Sequence, residues 1–219
     1  MKTLEKAFSV LEYLMEKGEA GVTEISEHLN LSKNNVFRAL ITFEEHGLVE
    51  KDPETEKYKL GVNSVRLGYG YIQKNPLIKL SEPVFKNLRF KLLETVNLTV
   101  LDDQKKYVVY VIEEETIKPV KVKSRLGMRF DLDAYTASAK ALRKAVLGEK
   151  GFVFDYEYNT QTEIAGGACV VRDYRGRPIG AVEIIAPIYR MPFDRVEKEI
   201  KPTLQEVALE LSLKLGYWD

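Results

Sequence analysis

The tightest constraint on this chain is the run of helix signals in its first sixty or so residues. Over residues 3–17, Leu4, Ala7, Phe8, Leu11 and Leu14 recur at helical spacing behind Thr3 as a cap, and Gly18 ends the run. Gly21-Val22 is a short extended link. Thr23 caps a second helix with Ile25 and Leu29 inward, and Asn30-Leu31 turns the chain. Ser32 caps a third, with Val36, Leu40 and Phe43 inward and Gly47 at its end. Leu48-Val49-Glu50-Lys51 and Lys57-Tyr58-Lys59-Leu60 then read as strands about the polar turn Asp52–Glu56. Three short helices followed by a hairpin predict a winged helix-turn-helix over residues 1–61.

In such a unit the third helix enters the major groove of double-stranded DNA. Its inner positions are taken, so Lys33, Asn34, Asn35, Arg38 and Thr42 are expected to point outward. Asn bonds bidentately to adenine and Arg to guanine, while Lys or Arg holds phosphate. No acid occurs between Ser32 and Phe43, which lets the helix approach a polyanion. Backbone amides near Thr23 could take a phosphate at the start of the second helix, and Lys51, Lys57 and Lys59 could take one from the wing. The candidate DNA contacts are therefore Thr23, Ser32, Lys33, Asn34, Asn35, Arg38, Thr42 and Lys57. A plain solvated helix exterior has the same composition. The order of helix, turn, helix and Lys-bearing hairpin is the more specific signal.

Residues 62–76 read as a linker helix whose narrow stripe Val62, Val65, Tyr69 and Ile72 either meets a second copy or packs on the chain's own first helix. Asn75-Pro76 interrupts it and marks the domain boundary. A helix over about 77–95 follows, starting as late as Ser81 because of Pro83. Strands are expected at Leu98–Leu101, Tyr107–Ile112, Ala168–Arg172 and Ile179–Ala186, and more weakly at Pro119–Lys123 and Met128–Leu132. Phe152–Tyr158 alternates, with Phe152, Phe154, Tyr156 and Tyr158 on one face, read as core. Helices are expected at Thr136–Val146 and about Asp194–Leu215. Residues 77–219 thus form a second domain of α+β class with a largely antiparallel sheet.

Composition limits the chemistry. Lys+Arg and Asp+Glu both number 33, so net charge neither advertises nor excludes a nucleic acid. Cys169 is the one cysteine, read as a small buried hydrophobe. It forms no intrachain disulfide, which fits a reducing cytoplasm. The first residues do not read as a signal peptide, and no run of about 18 apolar residues would span a membrane. Both histidines, His28 and His46, lie in the first fifty residues. The second domain therefore has no Ser-His or Cys-His pair and no His-bearing zinc site. It also lacks a Gly-rich phosphate loop and a nucleophile elbow, so no cofactor or metal is expected. That argues against an enzyme with an appended winged-helix domain. The outward Lys33, Asn35 and Arg38 argue against a winged domain used for dimerisation alone.

The sequence resembles the IclR family of regulators. The resemblance is carried by Gly21-Val22-Thr23-Glu24-Ile25-Ser26, by Leu29 through Leu40 with Arg38 at the recognition-helix arginine, by Gly47-Leu48-Val49 and by Tyr58-Lys59-Leu60-Gly61. It continues through Leu67-Gly68, Gly127-Met128-Arg129, Thr136–Leu142 and Asp173–Ile179. It implies a GAF-like C-terminal domain that binds a small-molecule effector, and dimers or dimers of dimers on palindromic operators. The function it implies is transcription regulation, with repression favoured.

The effector residues it implies are Met128, Ala137, Ser138, Ala139, Asp155, Gly166, Glu183 and Ile185. The chain departs from the family pattern here. Ala stands at both Gly-like places in Ala137-Ser138-Ala139-Lys140, Gly166 replaces a common Cys, and the helical insert after the Lys140 helix is shortened to Leu147-Gly148-Glu149-Lys150. An inward Glu183 would repel a carboxylate unless Arg129 or another cation neutralises it. The expectation is a neutral or cationic effector, or a degenerate pocket that binds none. The plainer reading of Glu183 is an exposed strand residue, with Val182 and Ile184 inward, and Asp155 fits sheet surface and pocket equally well.

Overall fold

The computed structural model describes residues 2–150 and 153–218 and divides into two compact units between Lys74 and Asn75. The first unit runs α1 (Lys2–Lys17), β1 (Glu19–Ala20), α2 (Val22–Leu29), α3 (Lys33–Glu45), β2 (Val49–Lys51), β3 (Tyr58–Leu60) and α4 (Asn63–Ile72). The small sheet is antiparallel in the order β1-β3-β2. Val10, Leu14, Ala20, Ile25, Val36 and Leu40 are fully buried and join the three helices to the hairpin. The inward faces are thus those that helical spacing dictates.

Two caps differ from expectation. Thr3 lies inside α1 rather than ahead of it. Gly21, extended at φ −86°, ψ 160°, caps α2, so Thr23 is already a helical residue. A glycine serves there because the Ile25 N–H bonds its backbone carbonyl and no side chain is needed. Ser32 does cap α3, its hydroxyl accepting from the Asn35 amide at 3.3 Å. Asn30 closes α2 in the left-handed region, and Gly47, at φ +66°, follows α3 where the chain turns into the hairpin. No residue of α4 is buried, and Val62, Val65 and Tyr69 are exposed. The stripe therefore does not pack on α1 of its own chain.

The second unit opens with α5 (Pro76–Leu92). Asn75 caps it, accepting from the Ile78 amide at 3.3 Å, and Pro76 takes the first turn, where its missing N–H costs nothing. The helix does not wait for Ser81. Pro83 sits inside it on an exposed position, while Leu77, Ile78, Phe85 and Leu88 are buried on the other side. It ends at Leu92, short of the expected 95, because β4 (Thr95–Leu101) begins at once.

The strands β5 (Tyr107–Glu114), β6 (Arg129–Asp131), β7 (Phe154–Asn159), β8 (Ile164–Arg172) and β9 (Pro178–Pro187) complete a six-stranded sheet in the order β6-β5-β4-β9-β8-β7. Every neighbouring pair is antiparallel. Helix α6 (Ala137–Val146) packs on β7, β8 and β9, while α5 contacts β4 and β5. After a single 3₁₀ turn at Ile188–Arg190, the last helical stretch packs on β8 and β9. It consists of α7 (Phe193–Arg195), a π turn (Val196–Ile200) and α8 (Lys201–Lys214). The expected single helix is thus interrupted just before Pro202, which has no N–H to continue the ladder.

Because the sheet is covered by helices, β8 and β9 are buried almost throughout. Residues 115–128 form no regular element, so the expected strand at Pro119–Lys123 is absent. Its apolar Val120 is exposed and finds no sheet edge. The expected core stripe is only partly one: Phe154 and Tyr156 are half-buried and Tyr158 exposed, because β7 is an edge strand, and Phe152 lies outside the described residues.

Candidate nucleic-acid interface and a buried charge cage

Val36, Leu40 and Phe43 fix one side of α3 in the core, so the opposite side is set by the helical repeat. Asn34, Arg38 and Ile41 lie centrally on that open side. Asn35 and Thr42 flank them towards α1, where Asn35, Arg38 and Thr42 line a groove with Leu4 and Ala7. Lys33 and Phe37 flank them on the other edge. All seven residues are exposed. The exposed Phe37 and Ile41 escaped sequence reasoning, which assigned only polar residues outward. Their spacing out of register with Val36, Leu40 and Phe43 was the available signal.

The remaining candidates are placed less simply. Thr42 Oγ1 donates to the Arg38 carbonyl at 3.0 Å. Thr23 is exposed in the first turn of α2, next to Glu24, which holds the Tyr13 hydroxyl at 3.2 Å. In the hairpin, Lys57 pairs with Glu19 at 2.9 Å and Lys51 with Glu56. Such exposed pairs contribute little to stability and are readily exchanged for a phosphate.

In the second unit the residues expected to line a pocket surround a knot of buried charge. Glu183 is fully buried, as are its neighbours Val182 and Ile184, which overturns the exposed reading: alternation does not expose one face of a strand covered on both. Glu183 pairs across the sheet with Asn97 of β4 and Ala168 of β8. Its Oε1 accepts from Tyr110 Oη, Ser138 N and Ser138 Oγ, each at 3.1 Å, and its Oε2 accepts from Asn97 Nδ2 at 3.3 Å. Beside it, buried Glu157 of β7 accepts from Ala137 N at 3.3 Å. The Ala137 and Ser138 amides in the first turn of α6 are thereby spent on the chain's own carboxylates. That turn is held open to them by Thr136, whose hydroxyl caps α6 by accepting from Ala139 N.

The cation shared by this pair is Arg125, not Arg129. Arg125 Nη2 and Nη1 lie 2.9 and 3.2 Å from the two Glu157 oxygens, and Nη1 is 3.1 Å from Tyr110 Oη and 3.5 Å from Glu183 Oε2. Arg129 is exposed and stacks on the Tyr107 ring. Burial raises the Glu183 carboxyl above its ordinary value, opposed by Arg125 and reinforced by Glu157. Burial, with Glu183 adding to it, also holds the Tyr110 phenol well above its usual range. For Arg125 burial acts the other way, but Glu183, Tyr110 and Glu157 outweigh it and keep the guanidinium charged.

Of the expected pocket residues, Ala137, Ser138 and Glu183 meet in this cage. Asp155 does not: it is half-buried and pairs with Lys144 of α6 at 3.1 Å. Gly166 lies opposite Glu157 and Ile185, where an added Cβ would run into the Ile184 carbonyl, so it serves close strand packing. Met128 is exposed, its carbonyl accepting from Tyr110 N. Sequence reasoning missed Arg125, Glu157, Tyr110 and Asn97. The signal for Glu157 was available: aromatics on one face of 154–159 leave Asp155 and Glu157 on the other, towards α6.

A three-helix unit with a β-hairpin and a third-helix face that is exposed and free of acid from Lys33 to Phe43, with Glu44 and Glu45 only at its C-terminal end, followed by a separate sheet domain, defines a winged-helix regulator architecture. The sequence matches the IclR helix-turn-helix domain over residues 3–53 and the bacterial transcriptional regulator IclR C-terminal domain over residues 69–147. The chain belongs to the IclR family. It is 33% identical over 137 residues to the HTH-type transcriptional regulator KdgR of Dickeya chrysanthemi, a match covering 63% of this chain but only 44% of that relative. It is 22% identical to the transcriptional repressor IclR of Escherichia coli K12 over 99% of this chain and 90% of that one. An IclR homolog from Microbacterium hydrocarbonoxydans, solved with 4-hydroxybenzoate, shares the fold at TM-score 0.70 and 17% identity, covering 97% of this chain and 98% of that one. Among the described residues no helix is long and apolar enough to cross a membrane, and no cluster of three His, Cys, Asp or Glu is placed to hold a metal.

Proposed function

We propose that this protein is a sequence-specific DNA-binding transcription regulator, acting as a repressor, whose operator affinity responds to a small molecule bound in the second unit. The observation that carries the reading is the open face of α3. It offers Asn34 and Arg38 for base edges, Lys33 for phosphate, and Phe37 and Ile41 for the apolar contact that a thymine methyl accepts, with acid entering α3 only at Glu44 and Glu45 in its last turn. Ser32, Asn35 and Thr42 border that face and, with Thr23 at the start of α2 and Lys57 in the hairpin, would serve the DNA backbone. The curated relatives named above, a regulator and a repressor, support the same reading.

One such module covers too little DNA for strong discrimination, so the reading includes a symmetric dimer on two half-sites. The exposed apolar residues of α4, Val62, Val65 and Tyr69, are the proposed contact. Burial also pushes the Cys169 thiol up to about 12, which makes this thiol a poor nucleophile.

Titration of the full chain on a labelled duplex carrying its preferred site, beside a scrambled duplex, tests the reading at residue level. Binding is expected to fall steeply with salt. Arg38→Ala is expected to lose about 10- to 100-fold in affinity for the preferred site, the worth of one bidentate base contact. Equal binding by parent and variant, or no binding at low salt, would overturn the assignment of α3 as the reading helix.

A further inference from the structure

The cage in the second unit is built for a guanidinium and holds one from its own chain. The Arg125 fork meets both oxygens of Glu157, a planar match that an ammonium cannot make. The rings of Tyr110 and Phe130 each lie 5.7 Å from its Cζ. Two carboxylates face this one guanidinium, so with both ionised the cage carries an excess negative charge. The buried Asn97 side chain bonds Glu183 through its amide nitrogen, while its carbonyl oxygen meets no donor among the described residues. A cation rich in N–H donors satisfies such a site and an acid does not. The amides that would receive an acid, at the start of α6, are already bonded to Glu157 and Glu183.

Arg125 is delivered by a strap. The first part of the irregular segment is fixed: Thr116 Oγ1 donates to the Leu93 carbonyl, Lys118 pairs with buried Glu94, and the Val120 carbonyl accepts from Arg190. Its far end is fixed by backbone bonds of Gly127 and Met128 to Tyr110. Between these anchors, residues 121–126 are held by the exposed pair of Lys121 with Glu115 at 2.6 Å and, inward, by Arg125, whose N–H donates to Glu113 and whose guanidinium fills the cage. Leu126 beside it is exposed. A stretch with so little apolar burial opens at lower cost than the sheet beneath it.

We propose that Arg125 is a tethered stand-in for the ligand of the second unit. That ligand is a small guanidinium- or amidinium-bearing cation, which takes the place of Arg125 between Glu157 and Glu183 and frees residues 121–126. The proposal rests on the regulator reading for its consequence, since release of the strap is the signal passed on; the binding step stands without it. The tethered group competes at an effective concentration on the order of mM, so the free ligand binds the parent chain weakly and binds a chain lacking Arg125 more tightly.

Calorimetric and heat-shift titrations of the full chain with agmatine test this, with 4-hydroxybenzoate as the acid control. Saturable agmatine binding is expected in the parent, at least about tenfold tighter in Arg125→Ala and lost in Glu157→Gln. Should Arg125→Ala fail to fold, the parent and Glu157→Gln titrations decide the matter, together with displacement of the Arg125 Nε–H resonance by agmatine. The proposal is overturned by no saturable binding to the parent, by equal affinity with and without Arg125, or by preference for the acid. Binding of the ligand-free samples to DNA, measured alongside, separates the two claims: DNA binding without an agmatine response ends this proposal alone, and loss of DNA binding ends the regulator reading.

Discussion

At Glu183 burial and partnership pull in opposite directions. The side chain is fully buried, accepts from Tyr110, Ser138 and Asn97, and shares Arg125 with Glu157. Its carboxyl is raised above the ordinary 4.5, burial being the largest cause. A carboxyl raised on folding contributes stability that is fully present below the unfolded value and is lost as pH rises through the folded one. Unfolding by urea is therefore expected to show Glu183→Gln gaining stability relative to the parent as pH is raised from about 4.5 towards neutrality. Parallel stability profiles for the two proteins would contradict the burial-dominated account of this residue. The same residue shows what one position can hide. Charged side chains are rarely buried unless paired, and the pairing partners of Glu183 lie 45 to 86 residues away in sequence, where no local pattern reaches them.

At the scale of elements, legibility followed locality. Helix α3 was readable from its own residues, because Ser32 caps it and Val36, Leu40 and Phe43 repeat at its period. The start of α2 was displaced by two residues, since a glycine in an extended conformation caps as effectively as a threonine. Strand β9 and the second half of β8, from Ala168, were legible as strands, but Ile164–Gly167 was not, nor which side faces inward, because helices cover both strands and every position is apolar or partnered. The strap at 121–126 was illegible: its conformation is set by Arg125 reaching Glu157, a contact across 32 residues.

Helix α4 belongs to this scale too. Its stripe allowed two readings in the sequence, and the structure leaves Val62, Val65 and Tyr69 exposed. If that face joins two copies, the double variant Val65→Asp, Tyr69→Asp should sediment as a monomer with unchanged helix content, since neither side chain supports its own unit. A dimer of unaltered affinity would remove α4 from the interface.

For the whole molecule, the account joins two compact units with different tasks. In the proposed reading the first presents a basic and apolar helix face to DNA; the second encloses its own cation, Arg125, at the proposed ligand site. Coupling between them is a difference in free energy, and it requires each unit to bind its own partner. The DNA claim comes first, because the sensing claim has regulatory meaning only through it.

The most direct test is selection of bound sequences from a random double-stranded pool at fixed salt, using the full ligand-free chain. The account predicts recovery of an inverted repeat, with half-site centres about one helical turn, ~34 Å, apart, and depletion of that repeat when Arg38→Ala is used instead. A folded protein that enriches no sequence at low salt, or that enriches the same sequences with and without Arg38, would contradict it.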